Sequence, residues 1–282
     1  MDDPVSTASL HDSSYDEHLE VAVEAARGAG ALVRDRAGTV HGVRDKGMND
    51  FVTEVDEDAQ ALITECLRDG FPEIDVLAEE GTDASPPAAR IEGRRWIVDP
   101  IDGTTNFIQQ VPPYAVSIAL QDGERIVAGV VYDIPHDDLY TAVRGHGVQL
   151  NGSAQRTSDT ADLGDAFVAT GFPYRRFEHT EAYLAVLGDV LRRTRGVRRH
   201  GAASVDLARL AVGRFDGFFE TGLRPWDVAA GVLLVREAGG RVTDYRGAGG
   251  LTPIFERQVC ATNGPCHTAL REIVSDMKDI RL

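Results

Sequence analysis

Two carboxylates stand close together at the end of an apolar run in the middle of the chain. Asp99 and Asp102 lie three residues apart in the segment WIVDPIDGTTNF, which begins at Trp96. A strand that ends at Asp99 places this carboxylate at the edge of a sheet, where ligand sites are common. Two such groups repel each other in a partly buried site unless a cation lies between them, so the pair favours a divalent metal. Taken alone, DPID fits a polar turn after a strand equally well.

The residues directly after the two aspartates suit an anion. Gly103 allows a close approach of the backbone. The amides of Gly103, Thr104 and Thr105 can point together at a phosphate group. The sequence therefore predicts that Asp99 and Asp102 bind metal while the Gly-Thr-Thr turn binds phosphate.

Further acidic residues elsewhere in the chain could join this site. Glu79 and Glu80 follow a strand-like run in DVLAEEG, although a solvated acidic loop explains this pair more simply in a chain with 45 acidic residues. Asp227 falls in the first turn of a predicted helix, where the helix dipole favours an acid even without function. The three cysteines lack CxxC spacing and the eight histidines form no HExxH pair. Any metal is therefore expected to have oxygen ligands, which favour a hard cation.

The pattern of apolar residues predicts a layered α/β or α+β fold that positions these acids. Helical periodicity runs from about 15 to 36, and again from about 50, or a few residues later, to 70. Short runs rich in Val, Ile and Tyr then predict a sheet built largely of hairpins or meanders. After residue 151, strand-like segments alternate with helical segments. These helical segments lie near 178–193, 203–213, 226–238 and 264–277.

Composition limits the class of protein. The 282 residues, 43% of them hydrophobic, can form a substantial core. The acidic start lacks the features of a signal peptide, and no apolar run approaches the roughly 18 residues of a membrane span. We therefore expect a cytoplasmic protein without membrane contact, with a disordered tail at 1–14. The net charge of −16 argues against a nucleic-acid partner, and the basic run at 192–200 is interpreted as a solvated face.

Several segments together resemble the inositol monophosphatase family, within the Mg-dependent, lithium-sensitive sugar-phosphatase superfamily. WIVDPIDGTTNF is similar to the central signature of the family, and PWDVAAGVLLVREAGG is similar to its C-terminal signature. The segments KGMNDFVTEVD, VLAEE, GHGVQLNG and DGFFETGLRPWD fit in the expected order. The resemblance covers about 15–280 and is strongest to bacterial inositol-1-monophosphatases. It implies a five-layered α/β/α/β/α sandwich and a homodimer.

The resemblance also implies roles for individual positions. Two or three Mg²⁺ ions per subunit would be held by Glu79, Asp99, the carbonyl of Ile101, Asp102 and Asp227. Thr104, paired with Asp56, would orient the attacking water, and Glu79 would help to activate it. Phosphate and the substrate ring would be bound by Gly103, Thr104, Gly201, Ala202, Ala203, Glu220 and Asp227. The half at 15–150 would carry most metal ligands, and the half at 151–282 would carry Asp227 and the substrate contacts.

The reaction implied is hydrolysis of a small polyol phosphate monoester by metal-activated water, without a covalent intermediate. Inositol 1-phosphate is the leading substrate. Fructose 1,6-bisphosphate, histidinol phosphate and an adenosine bisphosphate are alternatives, and a protein-binding regulatory role is a further one. The turn at 201–204 reads GAAS where the family more often has GSAA, which bears on the substrate more than on the reaction.

Overall fold

Two β-sheets alternate with three layers of helices in the computed structural model. The structure describes residues 15–38, 44–47, 50–81, 88–173 and 177–280, and the tail expected at 1–14 lies outside these ranges. The helices in these ranges are α1 (Asp16–Arg36), α2 (Glu54–Gly70), α3 (Thr104–Gln109), α4 (Thr180–Arg193), α5 (Ala203–Ala211), α6 (Pro225–Glu237), α7 (Thr252–Phe255) and α8 (His267–Val274). None of them is both long enough and apolar enough to cross a membrane.

The first sheet is mostly antiparallel. Its described strands, in spatial order, are β3 (Asp75–Ala78), β4 (Arg94–Asp102), β5 (Ala115–Asp122), β6 (Arg125–Asp133), β7 (Asp138–Val143), β8 (Val148–Leu150) and β9 (Ser153–Gln155). Only the pair β3 and β4 is parallel among these, and every later strand pairs antiparallel with the strand before it. The predicted meander is therefore confirmed. A separate hairpin joins β1 (Arg44–Gly47) to β2 (Asp50–Val52).

The second sheet is mixed. Its described strands, in spatial order, are β11 (Gly196–Arg198), β10 (Phe167–Thr170), β12 (Gly217–Thr221), β14 (Gln258–Thr262) and β13 (Arg241–Thr243). β10 runs parallel to both of its neighbours, whereas β14 runs antiparallel to both of its own. The division of the chain at residue 151 stays a prediction, and β9, at 153–155, still belongs to the first sheet.

The apolar faces of the helices determine the layer order. α1 and α2 pack on the outer face of the first sheet, and α4 and α8 pack on the second sheet. α6 is buried on almost all sides and lies with α5 between the sheets, in contact with strands of both. A helix that is apolar all round belongs in such an interior position. The structure is thus the α/β/α/β/α sandwich that the resemblance implies.

Candidate metal and phosphate site

An irregularity in β4 brings its two aspartates to the same side. In a regular strand, residues three apart point to opposite faces. The step from Asp99 to Asp102 on β4 faces the shorter step from Ser117 to Ala115 on β5, so β4 contains one extra residue here. Such a bulge re-aims a side chain, and both aspartates consequently line one cavity.

Acids from four separate segments meet in this cavity, which has a volume of about 490 Å³. Its acidic lining residues are Glu79 after β3, Asp99 and Asp102 on β4, Glu220 on β12 and Asp227 on α6. The other predicted residues that line it are Ile101, Gly103, Thr104, Gly201, Ala202 and Ala203. Asp56 does not line the cavity. It contacts the site by accepting a hydrogen bond from the hydroxyl of Thr104.

Burial and mutual repulsion disfavour the charged form of these acids. Burial raises the pKa of the Asp99 carboxyl well above its ordinary value, and four neighbouring carboxylates raise it further. These neighbours are Glu79, Asp102, Asp227 and Asp56. Burial also raises the pKa of Asp102 to about 7, although hydrogen bonds from Ser204 oppose the shift. A nearby cation is needed to stabilise the ionised form of carboxylates that are buried this close together.

The donor set fits a hard divalent cation. Carboxylate and carbonyl oxygens are the ligands that Mg²⁺ and Ca²⁺ prefer. No three His, Cys, Asp or Glu side chains within the described ranges already form a finished metal-binding arrangement. The carboxylates nevertheless line one cavity, where a cation would neutralise charges that repel each other.

Backbone amides orient two of these carboxylates. Oδ1 of Asp99 accepts a hydrogen bond of 3.0 Å from the amide of Ile101, two residues later. Oδ2 of Asp227 accepts one of 2.7 Å from the amide of Arg224, which precedes α6. The Asp227 carboxylate thus binds a backbone amide at the start of its own helix. Each aspartate is held by the backbone of its own segment.

Thr104 and Asp56 form a hydrogen-bonded pair at the edge of the cavity. Oδ2 of Asp56 accepts from the amide of Thr53 at 2.8 Å and from its hydroxyl at 2.5 Å, in the capping box that starts α2. Oδ1 accepts from the Thr104 hydroxyl at 3.1 Å, which also lies 3.0 Å from the carbonyl oxygen of Ile101. Because α2 fixes one oxygen of Asp56, the other has a defined direction toward Thr104.

The turn after the aspartates continues into the short helix α3, which the sequence patterns do not predict. Gly103 precedes this helix with φ 93° and ψ 37°, a left-handed conformation that favours glycine. A Cβ at this position would lie 3.2 Å from the carbonyl oxygen of Pro113 and 3.3 Å from Cβ of Ala202. Gly103 therefore permits both the turn and the close approach of the 201–203 segment. The amides that follow it open a helix and lack partners within it, which suits an anion.

The carboxylate of Glu220 lies against Gly171, the residue that follows β10. Burial raises its pKa well above the ordinary value, and nearby carboxylates add to this, whereas the guanidinium of Arg199 opposes it. A Cβ on Gly171 would lie only 1.9 Å from Oε1 of Glu220. Glycine at 171 therefore makes the room that this carboxylate occupies.

Several cavity residues were not predicted from the sequence. They are Asn106, Gly171, Arg199 and Leu223. The most informative is Arg199, an exposed member of the basic run at 192–200 that also lines the cavity. The only feature of the sequence that could have indicated this role is the position of Arg199, two residues before the predicted binding turn at 201–203.

Comparisons with known proteins identify the family to which the sequence is related. The model of the "Inositol monophosphatase family" matches residues 14–279. Nus factor SuhB of Escherichia coli (strain K12) is 45% identical over 231 residues, which cover 81% of this chain and 85% of the relative.

Two solved structures are also similar. The extragenic suppressor protein suhB from Bartonella henselae is 39% identical with a TM-score of 0.83, covering 93% of this chain and 98% of that one. The inositol monophosphatase from Anabaena is 36% identical with a TM-score of 0.81, covering 93% of this chain and 96% of that one. This chain belongs to the inositol monophosphatase family.

Proposed function

We propose that this protein is a Mg²⁺-dependent phosphatase that hydrolyses small polyol phosphate monoesters, with inositol 1-phosphate as its leading substrate. The observation that carries the proposal is the meeting of Glu79, Asp99, Asp102 and Asp227 in one cavity. The Thr104 hydroxyl and the backbone turn at 103 belong to the same cavity. Membership of the family supports a metal-dependent phosphatase, and the Anabaena relative is named an inositol monophosphatase.

The metal ligands in this proposal are Glu79, Asp99, the carbonyl of Ile101, Asp102 and Asp227, which would hold two or three Mg²⁺ ions. Bound Mg²⁺ supplies Lewis acidity toward phosphoryl oxygens and lowers the pKa of water. The protein contributes the orientation of the carboxylates, because Asp99 and Asp227 are both anchored by backbone amides. The raised pKa of Asp99 means that a cation relieves a repulsion already present in the fold.

Thr104 and Asp56 would orient the attacking water. When the Thr104 hydroxyl donates to Asp56, its oxygen lone pairs remain to accept a hydrogen bond from water. Glu79 would assist in removing the proton from this water. The amides of Gly103 and Thr104 would bind the phosphate, which places the phosphorus beside the oriented water. No side chain has to form a covalent intermediate.

The other end of the cavity would bind the substrate's hydroxyl groups. The segment 201–203 offers backbone groups and small side chains there, and Glu220 offers a carboxyl group. The positive charge of Arg199 opposes the rise in the pKa of Glu220 and so makes the ionised, hydrogen-bond-accepting form of that carboxyl less unfavourable. Polyol hydroxyls are good donors to such an acceptor.

Phosphate release from inositol 1-phosphate, measured with and without Mg²⁺, tests the proposal. We expect release only with Mg²⁺, inhibition by Li⁺, and loss of release in Asp99→Asn. Asp75→Asn is a matched control, since Asp75 is an exposed carboxylate on β3 and should leave activity unchanged. Absence of release from every compound in a panel of sugar phosphates would refute the phosphatase.

The same panel decides among substrates. Fructose 1,6-bisphosphate, histidinol phosphate and an adenosine bisphosphate are the alternatives to inositol 1-phosphate. The relative kcat/KM values on these four compounds rank them, and the highest value identifies the preferred class.

A regulatory role is a second candidate, because a relative that is 45% identical is named a Nus factor. We propose that such a role would act through a protein partner and a homodimer. Asp99→Asn separates the two functions in cells. A phenotype that survives loss of phosphatase activity supports the binding role, and a phenotype lost with the activity argues against it.

A further inference from the structure

We propose that Ser204 is a positioning residue for Mg²⁺, which fixes the orientation of Asp102 and thereby sets the affinity for the cation that Asp102 helps to hold. The inference rests on the proposed function, because it requires Mg²⁺ at this cavity. It adds a residue outside the cavity lining to the metal site.

Ser204 binds one oxygen of Asp102 with two donors. Its amide lies 2.7 Å and its hydroxyl 2.5 Å from Oδ2 of Asp102. The two residues are 102 positions apart in the chain, and Ser204 is fully buried. This is the contact through which the bulged end of β4 is joined to the start of α5.

The two donors have separable roles. The amide of Ser204 belongs to the first turn of α5, where amides lack intrahelical partners, so Asp102 caps this helix from another part of the chain. Any residue at 204 except proline keeps this amide N–H. The hydroxyl is an addition by the side chain, and it binds the same oxygen from a second direction.

Two donors on Oδ2 restrict the rotation of the carboxylate. A rotation that brought Oδ2 into the cavity would break both bonds and leave two buried donors without an acceptor, which is costly. Oδ1 is therefore the oxygen that Asp102 can present to a cation. Partners that hold a ligating carboxylate in this way tune metal affinity.

A purely structural role predicts something different. If Ser204 only stabilised the start of α5, removal of its hydroxyl would lower the melting temperature without Mg²⁺ and leave the Mg²⁺ affinity unchanged. Positioning predicts a loss of affinity that depends on Asp102.

Calorimetric titration of the full-length protein with Mg²⁺ distinguishes the two roles. Ser204→Ala should weaken Mg²⁺ binding about tenfold or more, the range typical for removal of a partner that orients a metal ligand. Thr157→Val is the matched control, because it also removes a buried hydroxyl, one that donates to the carbonyls of Ala238 and Asn263. This control should bind Mg²⁺ like the unmodified protein.

The same titration in an Asp102→Asn background closes a double-mutant cycle. If Ser204 acts through Asp102, adding Ser204→Ala to Asp102→Asn should change the remaining Mg²⁺ affinity by less than about twofold. An unchanged affinity in Ser204→Ala alone, or an equal loss in both backgrounds, overturns the inference while the phosphatase proposal stands. Absence of Mg²⁺ binding and of phosphate release in the unmodified protein overturns both.

Discussion

The hydroxyl of Thr104 donates a 3.1 Å hydrogen bond to Oδ1 of Asp56, 48 residues earlier in the chain. This bond joins the first residue of α3 to the first turn of α2. Asp56 cannot turn away from Thr104 without losing the two bonds from Thr53 to its other oxygen. Helix caps are common in proteins of any function. Here the cap of α2 also fixes Asp56, and Asp56 in turn orients the hydroxyl of Thr104 at the cavity.

Removal of this hydroxyl should affect turnover and leave metal binding intact. Thr104→Val keeps the shape of the side chain and should lower kcat about 100-fold or more, the lower end of what a positioned proton-transfer group contributes. Thr104→Ser keeps the hydroxyl and should retain most of the activity. Steady-state kinetics at saturating Mg²⁺ measure both. Equal kcat values for the Val and Ser variants would show that the hydroxyl has no part in the reaction.

Neutralising Asp99 should abolish activity and stabilise the metal-free protein. Burial and four neighbouring carboxylates disfavour the Asp99 charge, so Asp99→Asn removes the cost of ionising this carboxyl in the metal-free protein. We expect its melting temperature in EDTA to rise by a few degrees, since roughly 1 kcal/mol shifts a protein of this size by about 2–4 °C. Thermal melts with EDTA and with Mg²⁺ measure this, and Mg²⁺ should stabilise the variant less than the unmodified protein. A lower melting temperature in EDTA would contradict the repulsion.

An added methyl group at residue 171 should weaken substrate binding specifically. A Cβ there would lie 1.9 Å from Oε1 of Glu220, so Gly171→Ala must displace this carboxylate. We expect KM for inositol 1-phosphate to rise about tenfold, the equivalent of one hydrogen bond to a charged group, with little change in kcat on an aryl phosphate that lacks ring hydroxyls. Gly188→Ala in α4 is the control, because its Cβ would meet no heavy atom nearer than 3.4 Å. If Gly171→Ala changed the kinetic constants equally for both substrates, Glu220 would have no part in recognising the ring hydroxyls.

His267 should make the protein sensitive to acid. Burial lowers its pKa from 6.5 to about 4, and its ring nitrogens lie 3.0 Å and 3.2 Å from the hydroxyls of Thr243 and Thr262. Between pH 6.5 and about pH 4, the unfolded chain therefore binds more protons than the folded protein does. The contribution of neutral His267 to stability is fully present above pH 6.5 and falls as the pH decreases toward 4. The contribution is roughly 2 kcal/mol, less than the full shift implies because of partial screening.

Denaturant unfolding at pH 7 and pH 4.5 measures this contribution. His267→Gln should lose less stability across the interval than the unmodified protein does. Equal losses would show that other groups account for the acid sensitivity.

Much of the fold follows from patterns that are strong over a short range. The helix predicted from about 15 to 36 is found at 16–36, and the antiparallel strands after residue 94 form the predicted meander, because their apolar residues recur with the period of a helix or a strand. The second helix starts at Glu54, within the predicted range of about 50 or a few residues later, and not at Asp50 itself. Asp50–Val52 instead pairs with another strand, and Thr53 caps the helix.

The features that form the site were harder to predict. α3 has six residues and too few turns to show a period. The extra residue in β4 is visible only against the register of β5. Arg199 lines the cavity, although its sequence surroundings look like a charged surface. These features depend on contacts between distant segments, which local patterns do not contain.

The contact between Ser204 and Asp102 belongs to the same class. In the sequence, the GAAS segment at 201–204 differs from the more common GSAA of the family, and this difference bears on the substrate more than on the reaction. In the structure, Ser204 at the start of α5 binds the carboxylate of Asp102 on β4, in the neighbouring layer.

The proposed function depends most on one arrangement, in which Glu79, Asp99, Asp102 and Asp227 share one cluster of divalent cations beside the amides that bind phosphate. Anomalous diffraction from a crystal grown with Mn²⁺ and phosphate tests it most directly. We expect at least two Mn²⁺ peaks in this cavity, with Asp99 in contact with both and phosphate density beside the amides of 103 and 104. Mn²⁺ peaks elsewhere, with none bound by these four carboxylates, would contradict it.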